Sequence, residues 1–395
     1  MRAMLSETFF MAIRQLAHRA RGSLGMLAGV CVAIILMFMQ LGFRNALYDS
    51  AVTIPEAVDA DLFITSTIYE SLSATPPWFP RTALYQAQSV PGVADVRSLY
   101  CYVGELSSPR TNAKMSAWFL AFDPKRPVFR NAEINEKLDL LKLPNSVLLD
   151  RLSRYEYETL TRAVEQGARP RIVVPMASAT LSPVITIEGL FSLGPSFFVD
   201  GLAIMNDINF YRLIGVPLDR VSLGLVTLQP GVDPAAARDT VAAALGGTAK
   251  VFTRDEYLAA EREFYAVRTP IGAIFNLGLV VGVVVGIVFI SQVLHSIIDA
   301  NLKEYAVLMA MGYEVRFFGL IVFEISIAVS IVTFIPSVLA SYLLYSLAAD
   351  ATGLPLALSV GSISGVLGTV LGMGALASLL SMRKLSKANP LDLFS

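Results

Sequence analysis

Ionisable side chains are scarce in this 395-residue chain, and the scarcity excludes most enzyme chemistries. Only 16% of residues are charged, against about 25% in an ordinary soluble domain. The histidines are His18 and His295 alone. No histidine-pair metal site or Ser-His-Asp triad can therefore be assembled in the polar middle of the chain. No Gly-Lys dipeptide occurs, which removes the phosphate loop G-x-x-x-x-G-K-[ST] and ATP hydrolysis by that route. Of the two cysteines, Cys31 lies in an apolar run and Cys101 in the polar segment. They are not expected to pair, so the polar segment must hold together by its core. The net charge of −1 lacks the basic excess that nucleic acid requires of a partner.

What the chain has instead is apolar length. Runs at Leu24–Phe43, Pro270–Ile298, Phe317–Leu347 and Leu356–Met382 are each about 20 residues or longer, enough to cross roughly 30 Å at 1.5 Å per residue. The expected fold class is an α-helical membrane protein with four transmembrane helices in a 1+3 arrangement. A large α+β extracytoplasmic domain, 44–269, is inserted between helices 1 and 2. Arg2, Arg14, Arg19 and Arg21 precede the first run, Lys303 and Arg316 lie between the second and third, and Arg383, Lys384 and Lys387 follow the last. The positive-inside rule places all three clusters, and so both termini, in the cytoplasm. The 348–355 loop and the 44–269 domain are then outside. The first run reads as a retained anchor, because its core is too long for a signal-peptide h-region and no small-x-small site follows it suitably. Segment 1–23 is basic and amphipathic, with Phe9, Phe10, Ile13 and Leu16 among polar residues. It reads either as a surface helix or as an extra turn of the first span.

The polar segment begins and ends alike. Asp61–Thr65 reads as a strand, Pro80–Val90 as a helix and Val93–Tyr102 as a strand. Val221–Leu228 is again a strand, Pro234–Leu245 a helix with proline in its first turn, and Ala249–Thr253 a strand. Two β-α-β units, 61–102 and 221–253, thus flank a Pro- and turn-rich insert, 104–220, read as a second, mostly β lobe. Residues 254–267 form a charged stalk helix running toward the second span, interrupted only near Pro270. Its acidic pairs, Asp255–Glu256 and Glu261/Glu263, are expected on a solvated face.

Within the spans, Gly278, Gly282 and Gly286 repeat every four residues, a spacing that lets helix backbones approach closely. The repeat serves either packing within the chain or a seam between two copies. Glu324 lies about two turns into the third run, where a carboxylate is costly unless paired, protonated or facing water. A polar contact toward Arg316, Gln292 or His295 is the structural reading; a proton or substrate contact is the functional one. The 299–316 loop carries Asp299–Tyr313, DANLKEYAVLMAMGY. Leu302, Ala306, Met309 and Ala310 make an apolar stripe beside Lys303 and Glu304, and Gly312 suits a helix C-cap. Such an element packs on the membrane or docks into a partner's groove.

The 1+3 layout, the paired β-α-β units, the KEYAVLMAMGY loop and the C-terminal KLSKANPLDLF together resemble the permease subunits of MacB/FtsX/LolC-type ABC transporters. The DevC branch is the nearest in pattern, since this loop lacks the basic residue that usually follows its Glu-hydrophobe pair. The resemblance implies mechanotransmission. A coupling helix built on Lys303, Glu304, Tyr305, Met309, Met311, Gly312 and Tyr313 would seat on a separate ATPase polypeptide, present in two copies, which binds ATP and Mg. It implies no cofactor and no catalytic residue on this chain, and a homodimer in the inner membrane. It further implies a periplasmic adaptor protein and a TolC-like outer-membrane duct. FtsX-like signalling to a cell-wall hydrolase, or LolC-like lipoprotein extraction, are the alternatives it leaves open.

Overall fold

The computed structural model describes residues 20–74, 77–107, 114–175, 183–194, 197–311, 313, 315–352, 354 and 356–385. The amphipathic segment as far as residue 19 and the tail from residue 386 lie outside them. The first elements are helix α1 (Ala20–Ala57), strands β1 (Leu62–Thr65) and β2 (Phe79–Pro80), helix α2 (Thr82–Gln88), and strands β3 (Val93–Ser107) and β4 (Lys114–Phe122). Next come α3 (Ala132–Asn135), α4 (Leu138–Leu141), β5 (Ser146–Asp150), α5 (Glu158–Glu165), β6 (Arg171–Val173), β7 (Val184–Phe191), β8 (Gly201–Asn206) and α6 (Asp207–Ile214). Then follow β9 (Arg220–Val221), β10 (Leu223–Leu228), α7 (Pro234–Ala244), β11 (Lys250–Thr253) and α8 (Arg254–Glu263). The last helices are α9 (Pro270–Ala300), α10 (Leu302–Ala310), α11 (Val315–Thr352) and α12 (Val360–Leu385). The chain divides into a helical unit (Met1–Asn45, Gly272–Ala349 and Leu356–Ser395) and an α/β unit (Ala46–Ile271 and Asp350–Pro355).

In the α/β unit one nine-stranded sheet runs β11-β1-β10-β3-β4-β8-β5-β7-β6. Its first four strands pair antiparallel throughout, so the two β-α-β units interleave as a split β-α-β arrangement. Leu62 sits opposite Val226 and Thr253. The insert is not a separate lobe. Strand β3 is 15 residues long; its first half pairs with β10 through Leu99, and Tyr100–Ser107 pairs with β4. Gly104 lies within it and stays paired, opposite Ala117, so the chain carries one sheet into the insert. The insert carries helices beside its strands, α3 to α6. The helices are needed because the sheet is apolar on both faces. Val96, Tyr100 and Phe119 join one buried cluster, while Leu99, Cys101 and Leu120 join another.

Local signals set the helix ends. Asp233 caps α7, accepting from Ala236 N at 3.0 Å, with Pro234 at its start. Thr253 and Glu256 form a capping box on α8. Gly215 ends α6 at φ +79°, a left-handed conformation that costs glycine least. One difference from the sequence reading concerns the start of the unit: helix α1 does not stop near Phe43 but continues to Ala57. The interruption read near Pro270 lies at Thr269, which is extended (φ −106°, ψ 149°), and α8 already passes into a π turn at Phe264–Arg268. Pro270 disfavours helical backbone in the residue before it.

Among the described residues, segments long and apolar enough to cross a membrane are Leu24–Ala57, Pro270–Ala300, Phe317–Thr352 and Val360–Met382, each lying mainly in the helical unit. Their shared core includes Ile34, Phe38, Ile290, Leu294, Phe318, Val329 and Val370, all fully or nearly buried.

Candidate functional site

The elbow joining α9, α10 and α11 is built by Asn301. Its side-chain amide donates to Ile297 O at 2.8 Å, and its backbone N–H donates to Ile297 O and Ile298 O, closing α9. Its own carbonyl then accepts from Tyr305 N at 3.0 Å, starting α10 one residue later. Tyr305 is only 3% exposed, with its ring 5.3 Å from that of Phe318. Leu302 and Leu308 are half-buried against the same core. The described residues that pack inward are Leu302, Tyr305 and Leu308, at three-residue spacing. Of the stripe read from sequence, Leu302 lies on this face, while the side chains of Ala306, Met309 and Ala310 lie outside the described residues. The ring of Tyr305 packs on the bundle.

Glu304, Val307, Met311 and Tyr313 face outward; Met311 is 70% exposed and Val307 52%. Tyr313 N donates to Leu308 O at 3.2 Å, wrapping the helix end, and its ring lies 4.9 Å from that of Phe317. The side chains of Lys303 and Met309, and all of Gly312, lie outside the described residues. Beside the elbow a groove of about 660 Å³ is lined by Met26, Gln292, His295, Ser296, Asp299 and Ala300.

The glycine repeat of α9 meets the chain's own helices. A Cβ on Gly278 would lie 2.5 Å from Gln40 Cδ. One on Gly282 would lie 2.8 Å from Met37 Cγ and 3.5 Å from Ala33 O, and one on Gly286 3.6 Å from Ala33 Cβ, with Met373 closer still. The close approach is thus made by α1 and α12 of the same chain. Glu324 is buried on α11 at 9% exposure.

A polar seam on α11 was missed in the sequence. Ser326, Ser330, Thr333, Ser337 and Ser341 recur every three or four residues, and none is more than 2% exposed. Ser330 Oγ donates to Val370 O at 3.4 Å and Ser337 Oγ to Cys31 O at 3.4 Å; Tyr345 OH donates to Phe38 O. The signal was the spacing, hidden because serine is neutral to a hydropathy scan. Among the described residues no three His, Cys, Asp or Glu side chains gather as a metal site.

Residues 276–390, which hold the elbow, match the FtsX-like permease C-terminal family. This part of the chain resembles an FtsX-like permease domain, and that likeness supports the MacB/FtsX/LolC-type permease superfamily. No curated protein sequence matches the chain. Among solved structures, the periplasmic region of MacB from Actinobacillus actinomycetemcomitans aligns at 9% identity, covering 49% of this chain and 88% of that one, with a TM-score of 0.33. The extracellular domain of the noncanonic ABC-type transporter YknZ from Gram-positive bacteria aligns at 12% identity, covering 49% and 99%, also at 0.33.

Proposed function

We propose that this chain is the permease subunit of an ATP-driven exporter of the DevC type, and that it passes closure of a separate ATPase on to its α/β unit. In this reading the chain works as a homodimer with two ATPase copies. The termini and α10 lie in the cytoplasm, and the α/β unit is periplasmic, where it meets an adaptor protein and an outer-membrane duct. The observation that supports it best is the build of α10. Tyr305 fixes one face of a nine-residue helix to the bundle, which leaves Glu304, Val307 and Met311 outward as a polar-and-apolar docking face. A helix held that way can transmit a push to α9 and α11, where a freely hanging loop would absorb it.

The test is recovery of the partner ATPase with the full chain carrying Glu304→Lys together with Met311→Asp. Loss of one buried anchor commonly costs on the order of 2 kcal/mol, so recovery should fall at least about tenfold while membrane insertion is kept. Full recruitment and stimulated hydrolysis by a correctly inserted double variant would reduce α10 to a membrane-surface element. Orientation is checked alongside it: Lys142→Cys should label from outside intact cells and Asn301→Cys should not.

A further inference from the structure

Glu261 departs from the solvated face expected for the acidic pairs of the stalk, for it is 1% exposed. It lies on α8 and gathers donors from the segment after β1. The Tyr69 hydroxyl donates to Oε1, Ser71 Oγ donates to Oε2 at 2.8 Å, and Leu72 N–H reaches the two oxygens at 3.1 and 3.3 Å. The Tyr69 hydroxyl also bonds that of Tyr257, one turn earlier on α8, whose ring stacks on Phe63 at 4.3 Å. One carboxyl therefore ties three neighbours in the 69–72 segment to the helix.

The groups facing Glu261 are Tyr69 and Ser71 from that segment, Tyr257 from α8, Tyr265 from the π turn and Cys101 from β3. None is a cation. Arg262, next in sequence, turns to Glu56 at 3.1 Å instead. Burial holds the hydroxyls of Tyr69 and Tyr257 well above their ordinary range and raises the Cys101 thiol, so these groups stay neutral. A carboxylate buried among neutral partners gains hydrogen bonds but no opposing charge, and desolvation then favours its protonated form. Burial accordingly pushes Glu261 up to about 7, against the downward pull of Tyr69, Ser71 and Leu72.

We propose that the Glu261 carboxyl is a proton-operated latch, holding the 69–72 segment on α8 when neutral and loosening it when ionised. The sign follows from linkage. The folded value lies above the ordinary 4.5, so the latch's contribution is complete below 4.5 and is lost as pH rises through about 7. Ionisation drives the group toward water, and only release of the segment admits water to it. The inference goes beyond the transport reading, and its test does not use transport.

Hydrogen exchange at the Leu72 amide of the full chain, between about pH 5.5 and 8.5, reads the latch once intrinsic exchange rates and the β10 amides are used as references. One proton can change protection by at most about tenfold per pH unit. Protection of Leu72 should fall with that limit above a break near 7, and Glu261→Gln should remove the break. Tyr69→Phe takes one donor from the charged form and should move the break to higher pH. A wild-type profile without a break, or one that Glu261→Gln leaves in place, overturns the latch. Should the glutamine variant fail to fold, an unmoved break in Tyr69→Phe overturns it as well.

Discussion

The two units differ in how they accommodate polar groups. In the α/β unit, buried and half-buried polar side chains often reach across to a different element. Arg97 of β3, 9% exposed, donates to Pro127 O at 2.5 Å, to Thr227 Oγ1 at 2.7 Å and to Asp59 O. Ser116 Oγ donates to Asp200 Oδ2 at 2.6 Å. In the helical unit, several buried hydroxyls fold back on their own helix, beside cross-helix bonds such as Ser330 Oγ to Val370 O and Tyr345 OH to Phe38 O. Ser326 Oγ donates to Phe323 O at 2.8 Å, Thr333 Oγ1 to Val329 O at 2.8 Å and Ser337 Oγ to Thr333 O at 2.6 Å. The difference follows from the backbone. Strand ends and loops leave carbonyls that need donors from elsewhere. A helix satisfies its own carbonyls and offers them a second, local bond. Polar burial therefore fastens the sheet's parts to one another, whereas in the bundle it mainly allows close packing.

The greatest loss of stability is expected at Arg97. Arg97→Met keeps the stem but strips donors from Pro127 O, Asp59 O and Thr227 at once. Hydrogen bonds to a charged group contribute roughly 1.5–3 kcal/mol net, so a loss on the order of 3 kcal/mol is expected in the unfolding of the α/β unit. Chemical denaturation followed by a probe in that unit measures it. A change near zero would mean that the sheet does not depend on such cross-links.

In the helical unit the corresponding weak point is space. Gly282→Val places methyl groups where Met37 Cγ and Ala33 O already stand, 2.8 and 3.5 Å from the first added carbon. Met37 can yield and the Ala33 carbonyl cannot. Overpacking of this kind costs about 1–3 kcal/mol, read as lower thermal stability of the detergent-solubilised chain. Because α1 of the same chain fills this face, the effect should be the same at any protein concentration. A concentration-dependent loss would point to a seam between copies.

The sequence disclosed most where one physical quantity dominates. The four apolar helices followed from length and hydropathy, and α10 was visible as a charged amphipathic stretch between two of them. The outer strands and their helices were legible from alternation and from the Pro91–Gly92 and Pro230–Gly231 breaks. The interleaving was not, because pairing Leu62 with Val226 spans more than half the polar segment and no local pattern encodes it. Glu261 was misread for a related reason. It belongs to a charged helix whose inward face is chosen by what packs on it, the 69–72 segment, and that partner is not near in sequence.

The least loss is expected at Ser337. Ser337 has two acceptors, its own helix at Thr333 O (2.6 Å) and α1 at Cys31 O (3.4 Å). Its single hydrogen cannot serve both well, and the distances give it to Thr333. Ser337→Ala then removes a local bond in which the carbonyl retains a helical partner, and it leaves the close approach of α1 and α11 in place. Interhelical hydroxyl bonds in membrane bundles average about 0.6 kcal/mol, and the loss here should not exceed about that value. Thermal unfolding of Ser337→Ala beside Gly282→Val in one detergent sets the two against each other. If the serine variant loses as much as the valine one, then the bond to Cys31 O is holding the helices together. The bundle would in that case be cross-linked by polar groups in the same manner as the sheet.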